Sequence, residues 1–352
     1  MENRKIRILS VVYFLSIFML IVYSVITINS VFAQTQQQKV ENATEVTNDY
    51  VFTTLRKDDA IYNLQQNITL PAGKDMTYVD ATDNGKVVVA TSSVDNKTFI
   101  FNTTENNLIA KIKVGNVPKG VKISPNENYI FVANELSETI SIINLKNLTV
   151  IKEVPVGQVP HNIVFSPDGL KAYVTVQGED KVIVIDTNSL EIINEIQDSK
   201  GPHNLDITND GKLLFVSNAA SNDIAIINTT SFEIVKKIPV SLGHHGIDVS
   251  PDNKRVYVSG IGSDKVNVID ADKQELVKQI TVGMGPHGIR TSSNGNYLYV
   301  DVTTTNEIVV IDTSSLEIIS RIPTGNVPFW IAVSRNHYLA LSLFIYFVFF
   351  IY

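Results

Sequence analysis

Four histidines recur at a fixed interval. His161, His203, His245 and His287 stand 42 residues apart, each one position after a residue that opens a short β-rich run. Neutral imidazole is the commonest protein ligand for copper and zinc, so imidazoles brought together by a repeat are a candidate Cu or Zn site, with His244 as an extra donor. The same register holds Lys119 one step upstream and Phe329 one step downstream, where the histidine is missing. Trp330, the only tryptophan, follows the column by one residue. It reads either as an aromatic wall for a ligand such as a sugar or as packing for the last repeat. The plainer reading of the column stands beside the chemical one. A duplicated repeat copies its histidine along with its turns, and a Pro-His-x-hydrophobic entry can simply bond neighbouring backbone.

Other chemistry finds less support. The chain has no cysteine, which removes thiolate metal sites, cysteine nucleophiles and disulfides. Asp186, Asp270 and Asp312 share a register but fall in turn sequences, where a carboxylate caps backbone N–H groups. The Ser-Pro-Asp motifs place no base beside a nucleophile, and no glycine-rich phosphate loop opens a helix. With 29 Lys plus Arg against 36 Asp plus Glu and a net charge of -7, nucleic acid is not an expected partner.

The elements that must position the column are written in the same period. The pairs Pro118-Lys119, Pro160-His161, Pro202-His203, His244-His245, Pro286-His287 and Pro328-Phe329 all recur at 42, as do the turn residues Asn102, Asn144, Asp186, Asn228, Asp270 and Asp312. One copy reads as four β-rich runs, Asn162 to Phe165, Ala172 to Val176, Val182 to Ile185 and Glu191 to Ile196. Ser166-Pro167-Asp168-Gly169 forms the first turn and Asp186-Thr187-Asn188-Ser189 the third. Four strands per repeat of this length specify a propeller blade. Six units open near Met76, Pro118, Pro160, Pro202, His244 and Pro286. A seventh is completed when Pro328 to Ser334 joins Tyr50 to Thr54, Ala60 to Asn63 and Asn67 to Pro71 from the other end. The expected fold is all-β: a seven-bladed β-propeller of four-stranded antiparallel blades, closed by N-terminal strands pairing with a C-terminal strand. Such closure removes exposed sheet edges.

Tyr173-Val174-Thr175-Val176, Phe215-Val216-Ser217-Asn218 and Tyr257-Val258-Ser259-Gly260 each follow a Ser-Pro-Asp-Gly-like turn and precede a Val-Ile-Asp-like strand. In this the chain resembles the YVTN-repeat β-propeller family of archaeal surface-layer and exported bacterial proteins, over about residues 50 to 334. The resemblance implies the fold and no single activity.

The ends read differently. Arg4, Lys5 and Arg7 precede an apolar run from Ile8 to Ile28 and a small-residue site at Ala33, so 1–33 is expected to be an export signal, cleaved or retained as an anchor. Residues 34–49 read as a polar linker, 50–336 as the propeller and 337–352 as a hydrophobic tail. The tail is a short anchor, a buried or interfacial segment, or the scar of a truncated frame. On an exported chain the sequons at Asn42, Asn67, Asn96, Asn102, Asn147 and Asn228 are candidates for glycosylation.

Within a blade, the loops between second and third strands share a face with the blade-to-blade connections and hence with the column. Those loops vary between copies, as in Asn134-Glu135-Leu136-Ser137-Glu138 and Gln177-Gly178-Glu179-Asp180, whereas the turns of the other face repeat. The expected function is therefore an exported, cell-surface or extracellular binding module, its variable-loop face turned toward a protein, glycan or envelope component. The alternative is a metal- or cofactor-binding enzyme using the channel-mouth histidines.

Overall fold

The computed structural model describes residues 18, 19, 22–24, 27, 49–197, 200–240 and 243–335, the side chains of His244 and Arg335 excepted. The chain divides into two units, 1–46 and 47–352. In the first, the described residues are helical, and the Thr27 hydroxyl bonds back to the carbonyls of Tyr23 (2.8 Å) and Ser24 (3.0 Å). No helix among the described residues is long and apolar enough to cross a membrane. The cleavage site, nearly all of the leader and linker, Asn42 and the hydrophobic tail lie outside the described residues.

The second unit is a ring of seven four-stranded antiparallel sheets. Each copy of the repeat folds as read. In the fourth blade the strands are β12 (Pro160–Phe165), β13 (Lys171–Val176), β14 (Lys181–Asp186) and β15 (Glu191–Gln197), paired in sequence order. Val, Ile, Tyr and Phe fill the two middle strands because both of their faces are covered by neighbouring blades. The outer strand alternates exposed and covered residues, as one solvent face demands. Blades interlock through their apolar faces, for example Phe131 against Phe165 with ring centroids 5.0 Å apart.

The turns do what their residues dictate. Ser166 accepts the Lys171 N–H (2.9 Å) and donates to Asp168 (2.5 Å), while Gly169 takes the positive φ of +71°. Asp186 accepts the N–H groups of Asn188 (3.0 Å) and Ser189 (2.7 Å), and Asp312 those of Ser314 and Ser315. These carboxylates are caps, and their pKa is held below the usual range, that of Asp186 chiefly by the Ser189 N–H and that of Asp312 chiefly by the Ser314 hydroxyl.

The ring closes as expected. β28 (Pro328–Arg335) lies innermost in a blade completed by β1 (Asp49–Leu55), β2 (Ala60–Asn63) and β3 (Ile68–Pro71). β1 and β28 pair from Asp49↔Arg335 to Leu55↔Pro328. Asp49 is buried and accepts the Ser293 N–H (2.7 Å), tying the first strand to the preceding blade.

Candidate functional site

The inner strands of the seven blades are β4 (Met76–Ala81), β8 (Pro118–Ile123), β12, β16 (Pro202–Ile207), β20 (His244–Val249), β24 (Pro286–Thr291) and β28. Their second residues ring the mouth of the channel: Thr77, Lys119, His161, His203, His245, His287 and Phe329. The last five stack as a staircase of rings. Centroids are 3.7 Å apart for His161 and His203, 4.1 Å for His203 and His245, 3.7 Å for His245 and His287, and 3.6 Å for His287 and Phe329.

A backbone device sets each step of this staircase. A hydroxyl on the second strand of one blade donates to the carbonyl of the mouth residue in the next: Thr54 to Thr77 (2.9 Å), Thr91 to Lys119 (2.7 Å), Thr175 to His203 (2.9 Å), Ser217 to His245 (3.3 Å) and Ser259 to His287. Two blades depart from it, with Ala133 and Asp301 in the hydroxyl register. At the second departure the Phe329 carbonyl takes its hydrogen bond from His287 Nδ1 instead (2.6 Å).

Hydrogen bonds then fix the tautomers. Because His287 Nδ1 donates to a carbonyl, its Nε2 carries the lone pair, which is buried and has no partner. The Asn204 amide donates to the His245 carbonyl (2.6 Å), so its second hydrogen meets His203 Nδ1 (2.8 Å), which accepts. His161 Nε2 bonds the Tyr78 hydroxyl (2.8 Å), which also reaches Asn204 Oδ1 (3.4 Å). His161 Nδ1 is buried without a hydrogen bond, 3.9 Å from Glu135. Burial pulls the pKa of His161 and His287 well below the usual range, and His203 adds to the effect on both, so both rings are neutral at pH 7.

Below the mouth lies a layer containing Tyr78, Asn162, Asn204 and Trp330. Tyr78 and Trp330 are in ring contact (4.4 Å), and the Asn162 amide donates to Asn204 Oδ1 (2.6 Å). Burial raises the Tyr78 hydroxyl far above its ordinary range, so it remains a donor. Two residues further along the inner strands the channel turns ionic. Asp80 pairs with Lys122 (2.8 Å) and Asp248 with Arg290 (3.1 Å), and the Arg290 guanidinium lies over Trp330 (5.7 Å). Asp80, Asp206 and Asp248 also each accept a backbone N–H from the neighbouring blade, of Ile123, Val249 and Thr291. A cavity of about 220 Å³ opens on that side beside Asp80, Lys122 and Phe165.

The structure thus gathers His161, His203, His245 and His287 at one mouth. Lys119 stands on the same ring, its ammonium 3.6 Å from Glu135. Trp330 is 4 % exposed, buried under the mouth as part of the closing blade. The backbone of His244 opens β20. Among the sequons, Asn96 spends its side chain on Val117 and Asn116, Asn102 and Asn228 cap turns, and Asn67 accepts the Tyr62 hydroxyl. Asn147 sits exposed in a turn, accepting the hydroxyl of its own Thr149 (2.7 Å). Sequence reasoning passed over Tyr78, Asn204, Arg290 and Asp301. Asp301 at least carried a signal, since it stands at the 42-residue register of Thr91, Thr175, Ser217 and Ser259.

One nitrogen from each of His161, His203 and His245 lies within 4.8 Å of the other two. Ligand nitrogens on a tetrahedral ion with ~2.0–2.1 Å bonds are roughly 3.3 Å apart, so no pair of these nitrogens has to close by more than about 1.5 Å. The donor set fits a metal of imidazole preference.

Seven four-stranded antiparallel blades about a central channel define the chain as a seven-bladed β-propeller. A family model described as YNCE-like β-propeller matches residues 124–211 and 201–297, and this match, together with the repeat pattern, supports a YVTN-like propeller family. Among solved structures, a functionally unknown protein from Desulfotomaculum acetoxidans is 18% identical, with a TM-score of 0.71 over 81% of this chain and 99% of that one. Kuenenia stuttgartiensis hydrazine synthase is 20% identical, with a TM-score of 0.68 over 74% of this chain and 90% of that one. The dihydro-heme d1 dehydrogenase NirN is 15% identical, with a TM-score of 0.60 over 80% and 74%. At such identities the likeness is one of fold. No curated protein sequence matches the chain.

Proposed function

We propose that the protein is an exported β-propeller that works as a binding module. Its loop-bearing face is the working face, and the histidine mouth on that face is a ligand site for a transition metal, copper or zinc. The observation that carries the reading is the convergence of His161, His203 and His245 nitrogens within 4.8 Å, beside two buried imidazole nitrogens, on His161 and His287, that lack a hydrogen bond. A purely structural imidazole in a protein interior finds partners for its nitrogens. Export rests on the basic and apolar leader. Exposed Val94, Leu136, Ile261 and Met284 on the loops and connections of the same face support contact with a protein, glycan or envelope component around the mouth.

Equilibrium dialysis of the full chain against copper and against zinc tests the site. One equivalent of metal is expected, lost when His161, His203 and His245 are replaced by alanine. No bound metal in the native protein makes the column structural and moves the site to the loops.

A further inference from the structure

The face opposite the mouth carries a cavity of about 530 Å³, larger than the one beside Lys122, at the junction between the blade opened by β20 and the blade opened by β24. Its walls are the first turn of each blade, around Asp252 and around Gly295, and the third turn of the second blade at Thr313. The sequence explains why the junction is open. In the preceding junction, Asn209 bridges two first turns, its N–H to Asn253 Oδ1 (2.6 Å) and its amide to the Pro251 carbonyl (2.6 Å). In the following one, the Ser293 N–H reaches Asp49 (2.7 Å). Pro251 holds that register here and has no N–H to give. The repeat also has proline there at Pro125 and Pro167, but carbon fills those junctions. Tyr129 packs against the core of the first, and Lys171 lies over the Phe232 ring (5.6 Å) in the second. The third has Arg255, at the start of β21 (Arg255–Gly260), and Leu316 in place of the phenylalanine.

The charges in the cavity do not cancel. Arg255 spends one N–H on the Thr313 carbonyl across the junction and also reaches the Tyr257 hydroxyl, which leaves further donors of its planar fork. Neither Arg255 nor Lys254 forms an ion pair among the described residues. Asp270, opposite Arg255 in the register of β21 and β22 (Lys265–Asp270), is taken by the N–H (2.9 Å) and ammonium (3.3 Å) of Lys273. Asp252, the one carboxylate on the wall, turns into its own loop, where it accepts the Ser250 hydroxyl (2.7 Å) and the Lys254 N–H (3.1 Å). The far wall is neutral. Where the Lys171 junction has Asp210 paired with Lys212 (3.0 Å), this one has Asn294 and Asn296.

We propose that this cavity is a second ligand site, which takes a small polar molecule through an oxyanion, a carboxylate or a phosphate group, gripped by Arg255 with Lys254 at the rim. A guanidinium fork matches two oxygens of either group, and the volume lies within the range of small-ligand sites. The site shares no residue with the histidine mouth, so it stands or falls independently of metal binding there.

The test is isothermal titration of the full chain with D-glucuronate and with inorganic phosphate, with D-glucose as the uncharged control. One equivalent of at least one anion is expected to bind and glucose is not, and the anion that binds identifies the group as carboxylate or phosphate. Arg255→Gln should weaken that binding at least about tenfold. Asn294→Asp should weaken it comparably by placing a negative charge on the far wall. This second variant keeps the test intact if the first fails to fold. Asn294 Oδ1 accepts the Ser292 hydroxyl (2.8 Å) and the Asn296 N–H (3.0 Å), as Asp168 does with Ser166 and Leu170 in its own blade. Binding of neither anion, glucose binding as tightly as glucuronate, or anion affinity unchanged in Asn294→Asp overturns the proposal.

Discussion

His287 Nδ1 donates to the Phe329 carbonyl of the next blade at 2.6 Å, in the place where five other blade junctions use a serine or threonine hydroxyl. The substitution is traceable to Asp301, which holds the hydroxyl position of its blade. Asp301 is fully buried, accepts the Thr53 hydroxyl (2.8 Å) and leaves its other oxygen without a partner. The second Asp301 oxygen makes no hydrogen bond, and the Phe329 carbonyl is served by the histidine.

Asp301→Ser is expected to stabilise the protein at neutral pH. Burial raises the Asp301 pKa well above its usual value, with the Thr53 bond opposing only in part. The folded state therefore retains a proton that the unfolded chain releases above about pH 3.9. Stability falls as pH rises from there toward the folded pKa, by roughly 1.4 kcal/mol per pH unit. Serine removes that penalty and restores the repeat's own bond. Thermal unfolding of both proteins from pH 4 to pH 8 should show a gap opening as pH rises, and parallel curves contradict it.

The other break in the hydroxyl series is Ala133. Ala133→Ser should add about 0.5–1.5 kcal/mol by giving the His161 carbonyl the donor its counterparts have. Thr175→Val should cost about 1–3 kcal/mol by stranding the carbonyl of His203 and the N–H of Asn162. Urea midpoints measure both, and equal effects of the same sign would sink the idea.

Arg290→Met should destabilise by about 3–5 kcal/mol, because it leaves Asp248 enclosed without its counter-charge and near Asp206. Arg290→Met with Asp248→Asn should recover part of the loss. A double variant no better than the single one would place the effect in packing against Trp330.

The fold was legible because the chain repeats itself. A period of 42 marks where each inner strand begins, and the partial units at either end sum to one blade, so Pro328 to Ser334 and Tyr50 to Thr54 could be matched before any coordinates. Of the site, the column was legible and its chemistry was not. Which nitrogen of His161 or His287 carries a proton depends on Tyr78, 83 residues away from His161, and on the Phe329 carbonyl. No spacing rule reports those contacts. The ionic layer was readable in principle, since Asp80, Lys122, Asp206, Asp248 and Arg290 share the same register two residues after the layer of Tyr78 and Asn204. Charges on an inner strand were passed over because each, taken singly, looks like a surface residue.

The most direct measurement is elemental analysis of the full chain purified from cells supplied with copper and zinc, beside a variant with His161, His203 and His245 all changed to alanine. The account predicts one copper or zinc per native chain and none in the variant. A native protein free of metal, or metal retained equally by the variant, contradicts it.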